Sequence, residues 1–356
     1  MKLSRRAMVQ LMGGTVLATT LLGPRRALAA TKITVLNWQG YGTDEKWALE
    51  AFTAATGIEV VHDYFNSEAE MITKLATNPG AYDVVLINSA RIAQAAGQGL
   101  IQPVDFAKIP NAAGLAPKLK DHDNMQYEGE TFGCAWVWGM NGLGVRDGKT
   151  DPDSYAALAD PAWAGKVALF DDAVTAVGLG ALATGQDMND PKDLEAVKGF
   201  LQSVRPNLHN LWTSEDQWNK AFAANEFDLS VAWSGGVVRS FRNGGLPVHF
   251  VVPKEGAIGW LDGLAVPTTA PDVDAAHAFI NYMIDPDFYF RWATEVGAPA
   301  SANVDAVAKL PEDDLMKQVH KAEYIDTMSI MSALPDARRD TFNALWQEMK
   351  AYYAAK

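Results

Sequence analysis

The side chains best suited to ligand chemistry are aromatic residues at the predicted ends of β-strands. Trp38 and Tyr41 follow the first predicted strand, Trp233 follows a later strand, and Trp260 precedes Asp262 by two residues. Ring faces attract ammonium groups by about 0.5–2 kcal/mol each, and they also form flat apolar walls for methylene chains. A cleft lined by these rings could hold a small organic cation. Each ring taken alone fits core packing equally well, and stacking on a sugar is a further alternative.

Two aspartates could supply the negative charge that a bound ammonium group requires. An ammonium taken out of water costs several kcal/mol unless it is paired and hydrogen-bonded. Asp262 lies in the apolar stretch 259–263, where an unpaired acid would be hard to bury. Asp172 follows Phe170 and Asp171, a position where an aspartate commonly caps a helix. We expect Asp171 to act as the helix cap and Asp172 to contact the ligand.

Motifs for catalysis or metal binding are absent from the sequence. It contains no G-x-S-x-G, P-loop or H-E-x-x-H motif, and its six histidines lack metal-ligand spacing. The stretch 178–183 matches a loose G-x-G-x-x-A string, but its small residues also suit a helix. Cys134 is the only cysteine, so no intrachain disulfide can form. We therefore predict a protein that is not an enzyme and that needs no cofactor or metal.

The hydrophobic pattern predicts alternating strands and helices in the first part of the chain. The first helix should end at Gly57, and the second should begin with Ser67 and Glu70 in capping-box spacing. In such α/β sheets ligands bind at the carboxyl ends of the strands. The three strands are predicted at 33–36, 58–61 and 83–87, and the loops that follow them at 37–43, 62–66 and 88–90.

Two lobes are expected, because 356 residues exceed what one hydrophobic core usually supports. Apolar runs predict a second sheet downstream. A strand at 257–267 should cross back to the first lobe, and the region from about Asp313 to Tyr353 has a helical pattern. The other strands of this second sheet are predicted at 167–170, 229–232 and 248–252.

Residues 1–30 have the features of a cleaved export signal. They contain a basic head, an apolar stretch at 7–23 and a small-x-small site at 27–29. The stretch 4–9 resembles a twin-arginine signal; a retained membrane anchor is the alternative. Removing these residues, five of them basic and none acidic, changes the formal net charge from −13 to −18. This acidity argues against nucleic acid as a partner and is compatible with cationic ligands.

Several short motifs follow one another along the mature chain. They are Asn37-Trp38-x-x-Tyr41, residues 80–85, Trp138-Gly139, residues 171–173, Trp233-x-Gly235, residues 253–256 and Trp260-x-Asp262. In this combination the chain resembles the periplasmic spermidine- and putrescine-binding proteins of ABC importers, part of the larger family of extracellular solute-binding proteins.

The resemblance implies a periplasmic binding protein-like α/β fold with two lobes joined by crossing strands. We predict lobe 1 at 31–138 plus 262–306, and lobe 2 at 139–261 plus 307–356. The ligand would lie in the cleft between the lobes, and the membrane subunits of an ABC permease would be the partner. The mature chain is expected to be a periplasmic monomer that does not insert into the membrane.

The family's binding residues are carried over position by position. Ser89 lies near the third strand end, where the family offers a serine. The other carried-over positions are the aromatic residues Trp38, Tyr41, Trp233 and Trp260 and the amine-binding carboxylates Asp172 and Asp262.

Three positions depart from the family pattern: Thr175 replaces a glutamate, and Ala90 and Ala298 stand where tyrosines are expected. The ligand could therefore be shorter than spermidine, a monoamine, or a zwitterion with its acidic end near Arg91. A sugar binder, a ferric-ion or anion binder, and an exported enzyme are the remaining alternatives.

Overall fold

The computed structural model describes residues 31–355, so the predicted export signal at 1–30 lies outside the described residues. The strands are β1 Lys32–Asn37, β2 Glu59–Tyr64, β3 Val84–Asn88, β4 Ile101–Gln102, β5 Gln126–Tyr127, β6 Glu130–Thr131, β7 Cys134–Arg146, β8 Val167–Phe170, β9 Leu208–Trp212, β10 Leu229–Trp233, β11 Val248–Val251, β12 Ile258–Pro267, β13 Ala300–Ser301 and β14 Ser329–Ile330.

The α-helices are α1 Lys46–Thr56, α2 Glu68–Thr77, α3 Ser89–Gly97, α4 Pro117–Lys120, α5 Ala173–Ala183, α6 Leu194–Val204, α7 Glu215–Ala223, α8 Ser234–Arg242, α9 Val273–Met283, α10 Pro286–Glu295, α11 Val304–Ala308, α12 Leu315–Val319, α13 Ala322–Thr327 and α14 Asp336–Ala354. Short 3₁₀ helices occur at Phe106–Lys108, Pro110–Gly114, Asp123–Met125, Tyr155–Ala159 and Pro161–Trp163. None of the helices in residues 31–355 combines the length and the apolar character that crossing a bilayer requires.

The main sheet consists of two parallel halves joined by a central antiparallel pair. Its strand order is β2-β1-β3-β12-β7-β10-β8-β9. Strands β2, β1 and β3 are mutually parallel, and so are β10, β8 and β9. The long strands β12 and β7 pair antiparallel with each other and with the adjoining strand of each half. The predicted α/β class with crossing strands is confirmed.

The central pair makes the two halves run in opposite directions, so that their carboxyl ends approach each other. The last residue of β3, Asn88, pairs with Asp262 of β12, and the last residue of β10, Trp233, pairs with Asn141 of β7. Asn141 also pairs with Ile258, four residues before Asp262. At about 3.3 Å per residue, the two sets of strand ends are about 13 Å apart along β12. The loops that follow these strand ends therefore lie on either side of the middle of the crossing strands.

The hydrophobic core is divided in the same way as the sheet. One large cluster packs around β1, β3 and β12, and two further clusters pack around β8 and β10. Leu310 and Ile330 belong to the first cluster, whereas Phe342 and Trp346 of α14 belong to the second. The lobe boundaries at residues 138/139, 261/262 and 306/307 stay a prediction.

Local sequence signals explain how the first helices begin and end. Gly57 ends α1 in the left-handed conformation at φ 74°, as predicted. The Ser67 hydroxyl accepts the Glu70 backbone N–H of α2 at 3.1 Å, so Ser67 is the predicted cap. The Glu70 carboxylate bonds to the backbone N–H of Asn66 rather than to that of Ser67. Two hydrogen bonds therefore hold the start of α2. In a capping box the Glu70 carboxylate would accept from the N–H of Ser67, whereas here it accepts from the N–H of the preceding residue, Asn66.

The prediction of a helical stretch from Asp313 to Tyr353 is only partly correct. The chain leaves the helical conformation after α13, and β14 pairs with β12 at Ile258 and Gly259. Pro335 then starts α14. Pairing with a crossing strand has overridden the local helical pattern, which carries no information about such a distant partner.

Candidate functional site

Asp262 is the centre of the candidate site. It lies on β12, and only 9% of its surface is exposed. The Tyr41 hydroxyl donates to its Oδ2 at 2.9 Å, and the Asn88 side-chain amide donates to its Oδ1 at 2.8 Å. These donors come from the carboxyl ends of β1 and β3. Each carboxylate oxygen thus has one protein donor and keeps further acceptor capacity for a ligand.

Burial makes this carboxyl group electrostatically costly in the absence of a cation. Removal from water raises the pKa of Asp262 to about 6, although the hydrogen bonds from Asn88 and Tyr41 act in the opposite direction. The pKa of the Tyr41 hydroxyl is also raised, by burial first and then by the charge of Asp262. No salt bridge connects Asp262 to a basic side chain within residues 31–355. A bound cation would supply the missing counter-charge.

Trp260 lies on the same face of β12 as Asp262, because alternate residues of a strand share a face. It is half-buried, and its partner across the ladder is Gly139 of β7. A Cβ at residue 139 would lie 2.3 Å from the Cζ2 atom of Trp260. The glycine therefore provides the space into which the indole packs. Trp260 and Gly139 lie in the sheet between the two sets of strand ends.

Trp233 is on this same face, as its cross-strand pairing shows. Directly opposite residues of an antiparallel pair point to one side, and Asn141 is opposite both Trp233 and Ile258. Alternate residues of β12 share a face, and one such set is Ile258, Trp260 and Asp262. Trp233 therefore lies on the same face of the sheet as these residues. The half-buried Trp233 ring packs edge-on against Phe170, with the ring centres 5.1 Å apart. The structure thus places aromatic residues from both halves over the central pair.

The helix cap predicted at Asp171 requires correction. Asp172, rather than Asp171, is the N-cap of α5, and its Oδ1 accepts the Thr175 backbone N–H at 2.8 Å. Asp171 instead accepts the indole N–H of Trp346 at 2.7 Å and forms an ion pair with Lys350 at 3.1 Å. The backbone N–H of Asp171 still bonds to the strand β9, so the helix begins one residue later than predicted.

Asp172 is nonetheless connected to the central strands through the start of α5. The side-chain hydroxyl of Thr175 accepts a hydrogen bond from the Asn141 amide at 3.1 Å. Asn141 of β7 lies directly opposite Trp233 of β10 in the sheet. Oδ2 of Asp172 takes part in no hydrogen bond within residues 31–355. Contact between Asp172 and a ligand stays a prediction.

Trp38 and Ser89 lie at the carboxyl ends of β1 and β3. Trp38 is half-buried and packs edge-on against Phe65, with ring centres 4.6 Å apart. Ser89 is the first residue of α3 and follows Asn88 directly. Its side chain is 1% exposed, and its Oγ has no hydrogen-bond partner in the described chain. The structure brings Tyr41, Asp262 and Trp260 together and places Ser89 beside them in the chain.

Glu68 is a polar residue at this site that the sequence analysis missed. It is the first residue of α2, and its carboxyl interacts electrostatically with Asp262 and Arg91. The available signal was its position just past the second strand end, but it lay beside a capping motif that already explained the local acids. The roles of Asn88 and Asn141 were not predicted either, because they depend on cross-strand pairing.

The three departures from the family pattern lie in ordinary packing environments. Thr175 is buried and bonded to Asn141, and Ala298 is fully buried in the first core cluster. The backbone N–H of Ala90 donates to the Asn88 side chain, which caps α3. Among residues 31–355 no group of three or more His, Cys, Asp or Glu side chains is arranged to hold a metal ion.

Comparison with known proteins decides the family. The model of the bacterial extracellular solute-binding protein family matches residues 47–318. The chain belongs to this family. The spermidine/putrescine-binding periplasmic protein of Escherichia coli is 32% identical over 258 residues, which cover 70% of this chain and 72% of that protein. Spermidine/putrescine-binding periplasmic protein 1 of Haemophilus influenzae is 31% identical over 298 residues, covering 81% and 80%. The resemblance inferred from the sequence motifs is confirmed.

A solved structure shows the same fold as this solute-binding protein. The spermidine/putrescine ABC transporter substrate-binding protein of Streptococcus pneumoniae superposes with a TM-score of 0.81. The alignment covers 91% of this chain and 99% of that protein at 24% identity. The predicted periplasmic binding protein-like architecture is therefore confirmed.

Proposed function

We propose that this protein binds a polyamine-like organic amine between its two halves and presents it to an ABC permease. The observation that carries the proposal is the buried Asp262 carboxylate, which has hydrogen-bond donors on both oxygens but no cationic partner in the described chain. Trp260 and Trp233 lie on the same face of the central strands and would contact the methylene chain. The names of the relatives from E. coli and H. influenzae support an amine ligand.

The proposed ligand contacts are the aromatic residues Trp38, Tyr41, Trp233 and Trp260, the carboxylates Asp172 and Asp262, and Ser89. The rings exclude water and attract the positive charge, while the carboxylates pair with the ammonium groups. The protein acts as a receptor and catalyses no reaction on the ligand. Its two lobes, 31–138 plus 262–306 and 139–261 plus 307–356, close over the bound amine.

Closure converts binding into a signal for the membrane subunits. A ligand that contacts residues from both lobes binds the closed form more tightly, and this difference in affinity shifts the population toward it. The permease then distinguishes the closed, loaded receptor from the open one. The relatives are periplasmic proteins, and we propose the same location, with residues 1–30 as a cleaved twin-arginine-type signal and a monomeric mature chain.

A zwitterionic amine is the second candidate ligand. Arg91 is partly buried on the first turn of α3, and its pKa is lowered by burial and by the nearby Arg339 of α14. Arg339 is ion-paired with Asp336, whereas Arg91 donates only to the Gln94 side chain within residues 31–355. A ligand carboxylate would stabilise the Arg91 guanidinium. An ω-amino acid could then place its ammonium at Asp262 and its carboxylate near Arg91.

A thermal-shift screen tests the proposed function. The purified mature chain would be heated with putrescine, spermidine, a monoamine, a betaine, an ω-amino acid and a sugar. A ligand present at 100 times its Kd raises the free energy of unfolding by about 2.7 kcal/mol. We expect the diamine and triamine to raise Tm most. A shift with the sugar alone would overturn the amine assignment, and a shift with the ω-amino acid alone would select the second candidate.

A further inference from the structure

Glu68 takes no part in the cap of the helix that it begins. Ser67 caps α2, and the Glu70 carboxylate closes the cap by accepting from the backbone N–H and the side-chain amide of Asn66. Glu70 also lies 3.7 Å from Lys74. Glu68 makes none of these contacts. Its Oε2 is buried and has no hydrogen-bond partner in the described chain.

The charged surroundings of Glu68 do not compensate for this burial. Burial and the negative charge of Asp262 raise the pKa of Glu68 to about 7, and the positive charge of Arg91 lowers it only in part. Arg91 donates to the Gln94 side chain at 3.2 Å, and its guanidinium forms no ion pair with Glu68 within 4.0 Å. The two desolvated acids therefore interact unfavourably with each other, and neither forms a salt bridge with a basic side chain within residues 31–355.

A second unpartnered acceptor belongs to the same region. Ser89 follows Asn88, whose side chain is bonded to Asp262, and the Ser89 Oγ is buried without a partner. Glu68 of α2 and Ser89 of α3 thus each have a buried acceptor oxygen without a donor. The Asp262 carboxylate on β12 also has lone pairs free to accept. Burying such groups unpaired costs free energy, which N–H donors of a ligand would recover.

We propose that Glu68 is a ligand-binding residue that, together with Asp262, receives an N–H-bearing ammonium group and makes the site reject quaternary ammonium groups. This inference rests on the proposed function and adds a residue and a selectivity to it. A primary ammonium has three N–H donors, whereas a quaternary ammonium has none.

Aromatic rings alone would not produce this selectivity, because they attract both kinds of cation. Rejection comes from the carboxylate oxygens, which stay unpaired and desolvated when the ligand is fully methylated. A ligand with terminal primary ammonium groups fits this end of the cleft.

The test compares putrescine with its fully methylated bis-quaternary analogue in the wild type, Glu68→Gln and Glu70→Gln. Glu70→Gln is the matched control, because it makes the same change two residues away in the same helical turn. We expect the wild type to bind putrescine at least 100-fold more tightly than the analogue. Glu68→Gln should narrow this ratio by about tenfold, and Glu70→Gln should leave it unchanged.

Proton release gives an independent readout. Binding a cation beside a carboxyl that is half-protonated at pH 7 should release roughly half a proton. Calorimetric titration in two buffers with different ionisation enthalpies measures this release. Glu68→Gln should reduce it to the roughly one tenth of a proton that Asp262 can release, and Glu70→Gln should retain it.

A Glu68→Gln variant with the wild-type ratio and the wild-type proton release would overturn the inference while leaving the proposed function in place. A wild type that binds neither compound would overturn the proposed function, and this inference with it.

Discussion

At the residue scale, the proposed site depends on acids that are buried without a basic partner within residues 31–355. Asp262 is held by Tyr41 and Asn88, and Glu68 lies nearby with an unpartnered oxygen. In most proteins a carboxylate this desolvated is paired with a basic side chain. We propose that the ligand supplies the missing charge, so that binding would relieve the electrostatic cost of the buried acids.

Two substitutions of Asp172 can separate its role as a helix cap from its proposed role in ligand binding. Asn is as good an N-cap as Asp, so Asp172→Asn should keep the stability of the protein while it weakens amine binding by about tenfold or more. Asp172→Ala should lose the affinity and also about 0.5–2 kcal/mol of stability, because the Thr175 N–H loses its acceptor. Calorimetry and urea unfolding of the two variants provide the measurements. Wild-type affinity in Asp172→Asn would remove this residue from the site.

The stability of the ligand-free protein should depend on pH through Asp262 and Glu68. Both pKa values are raised by folding, from 3.8 to about 6 and from 4.5 to about 7. Each group therefore contributes stability that is present below its unfolded pKa and is lost as the pH rises through its folded pKa. For Asp262 the loss amounts to about 2 kcal/mol between pH 4 and pH 7.

Urea unfolding of ligand-free wild type, Asp262→Asn and Glu68→Gln from pH 4 to pH 8 measures this dependence. The two variants should become more stable relative to the wild type as the pH rises. Wild-type and variant stabilities that differ by the same amount at every pH would contradict the electrostatic description of the site.

Which individual residues act could be predicted only in part from the sequence. Asp262 was identifiable because an acid in the apolar stretch 259–263 needs a reason to be buried. Placing the helix cap at Asp171 instead of Asp172 was an error of one residue in the start of a helix. Glu68 was missed because an acid in a first helical turn already has an ordinary explanation, interaction with the helix dipole.

At the scale of elements, the crossing strands β7 and β12 position the site. They bring the carboxyl ends of two oppositely directed parallel sets together over Trp260 and Gly139. The strands and helices of the first half were predictable from periodicity, because each has a buried face and clear end signals such as Gly57. Strand β7 had no such alternating pattern, because nearly every residue from Cys134 to Val145 is buried.

Gly139→Ala tests how closely the crossing strands fit together. The added methyl group would overlap the Trp260 indole, so the ring must move. We expect stability to fall by about 1–3 kcal/mol and amine affinity to fall about tenfold. Gly199→Ala in α6 is the control, because its Cβ would meet no atom within 4 Å and should stabilise the helix slightly. Unchanged affinity in Gly139→Ala would show that the Trp260 position does not matter for binding.

At the scale of the whole molecule, the sheet has two halves with separate core clusters, which is the arrangement that the proposed closing receptor requires. Length alone predicted two lobes, and the resemblance supplied the crossing strands. The order of the strands in the sheet could not be derived from local pattern, because β12 and β14 pair across about seventy residues of intervening chain. The acidic balance of the chain is consistent with a cationic ligand and with solubility alike, so it could not identify the ligand.

The central claim is that a cationic amine supplies the counter-charge to the buried Asp262 carboxylate. Calorimetric titration of putrescine and spermidine into wild type and Asp262→Asn tests this claim most directly. We expect the wild type to bind at least one of the two amines and Asp262→Asn to bind it at least 100-fold more weakly, with its thermal unfolding midpoint in the absence of ligand at or above that of the wild type. Equal affinity in the two proteins would contradict the claim.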